Sequence, residues 1–112
     1  MAVPDRALRS ALEFAVGLAA AGQRTRPPLA FPAGLKPFLK VQLLPANGLA
    51  AVRAAVEGDP TYLATLGKVA TSELVDEVGM LWLTRPDGWE AAAEALLADD
   101  EREREEARGT AD

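Results

Sequence analysis

The hydrophobic residues of this chain recur at helical spacing, and a proline or glycine ends each run after a few turns. Leu49, Val52 and Val56 fall at positions i, i+3 and i+7, and Gly58 follows them. Such spacing places apolar side chains on one side of a helix. No stretch alternates between apolar and polar residues for long enough to indicate a strand. The pattern therefore predicts an all-α fold.

Capping residues and prolines divide the chain into five or six short-to-medium helices, which we expect to form a compact bundle. Asp5 is predicted to cap a first helix that runs to about Ala21 and stops at Gly22. Its inner face is expected to carry Leu8, Leu12, Ala15, Val16 and Ala19. An N-cap at Asp59, followed by Pro60 at the first helical position, predicts the start of another helix.

Prolines dominate the region after the first helix. Residues 23–32 form a predicted loop, in which three prolines fix φ and remove backbone donors. The two large apolar residues of this loop, Leu29 and Phe31, are expected to pack onto the helices. Residues 33–44 predict a short helix at most, with Pro37 tolerated only in its first turn.

Thr71 or Ser72 is predicted to cap the next helix, whose apolar residues fall at i, i+1, i+4, i+7 and i+8. This stripe consists of Leu74, Val75, Val78, Leu81 and Trp82. The combined stripes predict a core built from Leu8, Leu12, Phe14, Phe38, Leu49, Val52, Tyr62, Leu66, Val78, Leu81, Trp82, Trp89 and Leu96.

A proline and a glycine separate the last two predicted helices. The residue before Pro86 is disfavoured from helical backbone, so the earlier helix is expected to end at about Thr84. Asp87 and Glu90 have the spacing of a capping box, with Asp in place of Ser or Thr, so a new helix is predicted to start at Gly88.

Both tryptophans of the chain lie next to this break. Two large rings at a helix junction bury much apolar area and set the angle between the helices. We therefore interpret the stretch as a structural corner rather than a recognition site. The predicted corner consists of Trp82, Arg85, Pro86, Asp87 and Trp89.

The C-terminal residues 99–112 are almost purely charged. Their spacing predicts ion pairs within one helix, namely Asp100 with Arg104, Asp99 with Arg102, and Glu105 with Arg108. They lack the apolar seam of a coiled coil. We therefore divide the chain into a helical domain, residues 1–98, and a charged helical extension or linker, residues 99–112, which frays at its end.

The side-chain inventory argues against an enzyme. The sequence contains no histidine and no cysteine, which removes the commonest general base and the usual zinc ligands. Ser10 and Ser72 have no base to activate them. We expect no catalytic residue, no cofactor and no metal site.

No apolar run approaches the length of a membrane span. Residues 11–21 are apolar but contain Glu13, and Arg24 and Arg26 follow where the cleavage site of a signal peptide would lie. We therefore expect a cytoplasmic protein without membrane partners.

Charge is unevenly distributed along the chain. Residues 1–58 carry seven basic and three acidic residues, a net charge of +4, whereas residues 59–112 carry five basic and fourteen acidic residues, a net charge of −9. This asymmetry places any anion-binding surface in the first half. The candidate nucleic-acid-binding residues are Arg24, Arg26, Lys36, Lys40 and Arg53, with Phe31 or Phe38 available for stacking on bases.

The order of these pieces is similar to that in one family. Residues 31–70 read FPAGLKPFLKVQLLPANGLAAVRAAVEGDPTYLATLGKVA, residues 75–97 read VDEVGMLWLTRPDGWEAAAEALL, and a Glu/Arg-rich helix follows. They resemble the N-terminal helical region of actinobacterial NYN-domain proteins, which are RNA-binding proteins with a PIN-like domain. In that family a LRPFLRF-like stretch and an Ala-rich helix precede a W-L-x-R-P-x-G-W corner. The similarity covers roughly residues 29–106.

In that family, the nucleic-acid chemistry is attributed to a C-terminal α/β NYN domain, where acids at strand ends hold a divalent metal. This sequence contains no βαβ unit and none of those acids, so the resemblance transfers no catalytic residue. It implies an accessory domain, either as a piece of a longer protein or as a stand-alone relative.

Two functions fit these observations. The first is a non-catalytic interaction module associated with RNA metabolism, which positions a protein partner or a linked NYN domain, and an acidic helical bundle without catalytic groups favours it. The second is an accessory domain that binds RNA or a ribonucleoprotein directly through the basic first half.

Overall fold

A computed structural model describes residues 3–40 and 44–110 of the chain, with side chains up to residue 106. These described residues form five α-helices: α1 (Arg9–Gly22), α2 (Ala46–Glu57), α3 (Pro60–Val69), α4 (Glu77–Thr84) and α5 (Trp89–Thr110). Two 3-10 helices, Asp5–Leu8 and Ala33–Phe38, lie before α1 and before α2. No strand occurs in the described ranges, so the all-α prediction is confirmed.

Helix α1 lies at the centre of the bundle, in contact with α2, α4 and both 3-10 helices. Its predicted inner face is confirmed, because Leu12, Ala15, Val16 and Ala19 are buried in α1, and the fifth residue of that face, Leu8, is buried at the end of the preceding 3-10 helix. Eight of the thirteen predicted core residues are buried: Leu8, Leu12, Leu49, Val52, Tyr62, Leu66, Val78 and Trp82. The other five, Phe14, Phe38, Leu81, Trp89 and Leu96, are partly buried against that core.

The predicted N-cap at Asp5 is wrong. Residues Asp5–Leu8 form a 3-10 helix, and α1 begins at Arg9 without a side-chain cap. The carboxylate of Asp5 instead forms an ion pair with Arg53 of α2, at 2.9 Å. A partner 48 residues away has therefore replaced the local capping bond.

The second 3-10 helix, Ala33–Phe38, confirms the short helix predicted before α2 but not the position of its proline. Pro37 is the fifth of the six residues, outside the first turn. A proline at that position would clash with the carbonyl four residues earlier in an α-helix. The chain adopts the tighter 3-10 geometry there instead.

The sequence pattern of α2 and α3 is confirmed. Leu49, Val52 and Val56 are all buried, and α2 ends at Glu57 with Gly58 as its C-cap, as predicted. The carboxylate of Asp59 accepts a hydrogen bond from the backbone N–H of Tyr62 at 3.0 Å. It is therefore the predicted N-cap of α3.

The predicted cap of α4 is wrong. Residues 71–75 form turns, and α4 starts at Glu77 with Asp76 as its N-cap, whose carboxylate accepts from Gly79 N at 2.8 Å. Leu74 and Val75, both predicted to lie in the stripe, precede the helix; Leu74 is 60% exposed, whereas Val75 is buried. Helix α4 ends at Thr84, as predicted.

Helix α5 has 22 residues and is roughly 33 Å long, at 1.5 Å per residue. It starts at Trp89 rather than at the predicted Gly88. The predicted capping box is not formed, because neither Asp87 nor Glu90 makes a side-chain hydrogen bond among the described residues. Gly88 has a φ of 78°, which brings the chain into the helix without a side-chain cap.

Beyond Leu97, every described side chain of α5 is exposed. Two of the three predicted ion pairs of this segment are present, Asp99–Arg102 at 2.7 Å and Asp100–Arg104 at 2.8 Å. The third, Glu105 with Arg108, lies outside the described side chains. In the described part of the chain, no helix is long and apolar enough to cross a membrane.

Candidate functional site at the junction of α4 and α5

The guanidinium of Arg85 lies over both tryptophan rings. Its Cζ is 5.8 Å from the centre of the Trp82 ring and 5.3 Å from that of Trp89. Arg85 Nε also donates to the Trp82 carbonyl at 3.0 Å. The structure thus brings three of the five predicted corner residues together, with Trp82 fully buried and Trp89 half-buried.

The backbone of Arg85 is left-handed, with φ 48° and ψ 54°. This conformation costs a non-glycine residue about 1–2 kcal/mol. Pro86 disfavours right-handed helical backbone at this position, which accounts for the departure from the helix. The side chain offsets the cost by contacting both rings, since a cation over an aromatic ring contributes about 0.5–1 kcal/mol at an exposed site.

Glu57, at the end of α2, connects this corner to the rest of the bundle. One carboxylate oxygen, Oε2, accepts from Trp82 Nε1 at 3.0 Å, from Arg85 at 3.2 Å and from Arg53 Nε at 3.3 Å. Burial raises the pKa of Glu57. The hydrogen bonds from Trp82 and Arg53, together with the charges of Arg53 and Arg85, lower this pKa by a larger amount. The net result is a pKa below the ordinary value, so Glu57 is an anion at neutral pH.

Arg53 extends the same network to the N-terminal segment. Its NH1 donates to the carboxylate of Asp5 and to the carbonyl of Val3. Only 17% of its side chain is exposed. Arg53 therefore has a structural role, and the prediction that it binds nucleic acid does not fit its surroundings.

The other four predicted nucleic-acid-binding residues are exposed. Arg24 and Arg26 lie in the loop after α1, Lys36 lies in the second 3-10 helix, and Lys40 follows it. The sequence has no acidic residue between Glu13 and Glu57. The aromatic rings proposed for stacking, Phe31 and Phe38, are partly buried against the core.

A groove of about 470 Å³ runs between the first 3-10 helix, the start of α4 and the middle of α5. The apolar part of its lining consists of Pro4, Ala7, Val78, Leu96 and Leu97. The charged part consists of Arg6, Asp76, Glu77, Asp100, Glu101 and Arg104.

A second groove, of about 460 Å³, shares Glu77 and Leu96 with the first. The rest of its lining is Met80, Leu81, Thr84, Ala92, Ala95 and Asp99. The two grooves adjoin, and we call them together the α4–α5 groove. Sequence reasoning missed this surface, because it assigns Val78, Leu81 and Leu96 to the core and gives the other apolar residues of the groove no role.

Among the described residues, no group of three or more acidic side chains could hold a metal ion. Burial raises the pKa of Tyr62, whose hydroxyl donates to the Ala15 carbonyl at 2.6 Å. It therefore remains protonated inside the core and is unsuited to proton transfer.

Sequence reasoning also missed Glu57, which bears no motif and lies at the end of an ordinary helix. Its spacing of four residues from Arg53 indicates a pair on one helix face, which is present at 3.3 Å. Its role at the corner depends on residues 25 and 28 positions away. The chain matches no protein-family model, no curated protein and no solved structure.

Proposed function

We propose that this chain is a non-catalytic helical interaction module associated with RNA metabolism, which positions a protein partner or a linked PIN-like NYN domain. The observation that carries the proposal is the α4–α5 groove. It combines partly buried leucines with carboxylates on adjacent helices. Clefts of this composition between helices are typical places for a partner to bind.

The association with RNA metabolism comes from the similarity of the tryptophan corner and the charged helix to the NYN-domain family. Helix α5 continues as an exposed charged helix beyond Leu97. Such a helix is suited to hold a linked domain at a distance from the bundle. The module acts without a cofactor or metal, in the cytoplasm.

Site-specific photocrosslinking tests the proposal. A benzoyl-phenylalanine at Ala95, which lines the groove, is expected to give a discrete adduct in cells that produce the protein. The matched control carries it at Ala64, an exposed alanine of α3 outside the groove. A protease-sensitive, ribonuclease-resistant adduct from Ala95 alone supports the proposal. Adducts from both positions, or from neither, contradict it.

Direct RNA binding is the second candidate, and the acid-free stretch of residues 14–56 favours it. The exposed cations Arg24, Arg26, Lys36 and Lys40 would contact phosphates. Affinity for a labelled single-stranded RNA would then fall as the salt concentration rises. Arg26→Gln would reduce the slope of log affinity against log salt concentration by about one, the value for one phosphate contact. Arg102→Gln, which removes a cation from the acidic helix, is the control. Equal loss in both variants, or no binding at low salt, excludes this candidate.

A further inference from the structure

Helices α4 and α5 lie side by side in opposite directions, joined by residues 85–88. The start of α4, at Glu77, and the middle of α5, at Leu96, line the same groove, and residues 80–84 face residues 92–96. Leu96 lies between the two parts of the groove. Two adjacent helices with apolar residues along their boundary offer a third helix a place to pack, at the usual distance of about 8–10 Å between axes.

The charged residues around the groove favour a binding partner of one net charge over the other. Five carboxylates line it, from Asp76, Glu77, Asp99, Asp100 and Glu101. Among the described residues, two cations line it, Arg6 and Arg104; Arg104 is held by Asp100 at 2.8 Å, and Arg102, outside the lining, is paired with Asp99 at 2.7 Å. The described lining therefore has a net charge of −3, which repels an acidic partner and attracts a basic one.

A second copy of this chain fits the groove poorly. The chain carries a net charge of −5. Its exposed cations Arg24, Arg26 and Lys36 lie in a loop and a 3-10 helix. Of those on α-helices, Lys68 is the single cation of α3, and Arg102 and Arg104 are paired with Asp99 and Asp100 on an acidic helix. A partner of different sequence has no such restriction.

We infer that the α4–α5 groove binds a basic amphipathic helix of a partner protein. The apolar side of that helix, with anchors at i, i+3 or i+4 and i+7, packs between Leu96, Leu97 and Leu81. Its Lys and Arg residues extend toward Glu77 and Glu101. This inference rests on the proposed function and adds the chemical class of the partner to it.

The test uses three synthetic peptides and the full 112-residue chain. The first is a 14-residue helix-forming peptide of Leu and Lys with leucines at i, i+3, i+4, i+7, i+8 and i+11. The second has the same composition in scrambled order, and the third has Glu in place of Lys. Calorimetric titration is expected to show a single saturable site for the first peptide and much weaker binding of the other two.

Two matched pairs of variants locate the site. Leu97→Gln and Glu101→Lys, both in the groove, are expected to weaken binding of the Leu/Lys peptide by roughly tenfold each. Leu74→Gln and Glu103→Lys make the same changes at exposed positions outside the groove and are expected to change it by less than about twofold. Circular dichroism melts confirm that each variant is folded.

Equal binding of the scrambled peptide overturns the inference, because charge alone then accounts for the affinity. Preferential binding of the Leu/Glu peptide overturns it as well. So does a dimer, in sedimentation of the free protein, that Leu97→Gln dissociates, because a second copy then occupies the groove. If the Leu/Lys peptide does not bind but Ala95 still crosslinks to a protein, the basic helix is wrong and the interaction module stands.

Discussion

The indole N–H of Trp82 donates a hydrogen bond to the carboxylate of Glu57, 25 residues earlier in the chain, at 3.0 Å. Trp82 is fully buried, and this bond satisfies the polar atom of its ring. The same carboxylate oxygen accepts from Arg85, whose guanidinium lies over Trp82. The end of α2, the end of α4 and the start of α5 are therefore joined around one buried indole.

Trp82→Ala is expected to destabilise the fold by about 3–5 kcal/mol, because it empties a large buried aromatic site. For a domain of this size the thermal midpoint then falls by more than about ten degrees. Trp89→Ala, at a half-buried ring, is expected to cost less. Circular dichroism melts of both variants check the order. A shift of only a degree or two for Trp82→Ala would show that the corner is not structural.

At Arg85 we expect glycine to be a better replacement than alanine. Both variants lose the two ring contacts and the ion pair with Glu57. Left-handed backbone costs free energy at alanine but not at glycine. Arg85→Gly should therefore be more stable than Arg85→Ala by about 1 kcal/mol. Urea denaturation measures the difference. Equal stabilities of the two variants would mean that the backbone relaxes out of the left-handed region.

The two aspartates beside the last helices should respond differently to alanine. Asp76→Ala removes the N-cap of α4 and is expected to cost about 1 kcal/mol. Asp87→Ala should be nearly neutral, because no side-chain hydrogen bond of Asp87 is present among the described residues. Thermal melts of the two variants measure the loss of stability at Asp76, whose side chain caps a helix, and at Asp87, whose side chain does not. A larger loss for Asp87 contradicts the structure of the corner.

Alanine substitutions at two glycines, Gly79 and Gly17, are expected to change the stability of the fold in opposite directions. A Cβ at Gly79 would lie 2.6 Å from Val75 Cγ1 and 3.1 Å from Ala11 Cβ, whereas one at Gly17 would meet nothing within 4 Å. We expect Gly79→Ala to destabilise the fold by about 1–3 kcal/mol through overpacking of α4 against α1. Gly17→Ala, in the exposed middle of α1, should stabilise it by about 0.5–1 kcal/mol. Chemical denaturation of both variants tests the signs.

Glu57 should make the stability of the fold depend on acidic pH. Its pKa is lower in the folded chain than the ordinary value of 4.5. Its contribution is therefore complete above that value and is lost as the pH falls through the folded pKa. The stability difference between the native chain and Glu57→Gln should be largest near neutral pH and shrink below about pH 4.5.

Denaturation of the native chain, of Glu57→Gln and of Glu103→Gln across this pH range measures the effect. Glu103 is exposed on α5 and serves as the control. A difference for Glu57→Gln that stays constant with pH would exclude the charged carboxylate as the stabilising form.

Signals that act within one helical turn could be read from the sequence. The inner face of α2 depends on the spacing of Leu49, Val52 and Val56, and the start of α3 depends on Asp59, three residues before Tyr62. The ion pairs of Asp99 and Asp100 likewise lie within four residues of their partners. In each case, helical geometry alone brings the groups together.

The sequence was a poorer guide wherever a local partner competed with a distant one. Asp5 has the position of an N-cap, but Arg53 of α2 binds its carboxylate instead. Asp76 caps α4 through a local bond to Gly79, and its own N–H donates to Ser10 of α1 at 3.0 Å, a contact that neither Thr71 nor Ser72 makes among the described residues. The partners of Asp5 and of the Asp76 N–H depend on which helices are adjacent, and local spacing carries no information on that.

The sequence by itself determined that the chain is helical, where α1, α2 and α4 end, where α3 begins, and that the two tryptophans lie at a junction, because caps, prolines and periodic apolar residues act over a few residues. Only the tertiary structure decided that Arg85 lies over both rings, that Glu57 joins α2 to the corner, and that Leu96 and Leu97 border an acidic groove. Each of these depends on side chains brought together from different helices. Their positions are set by the packing of the whole bundle, which minimises exposed apolar area over all helices at once.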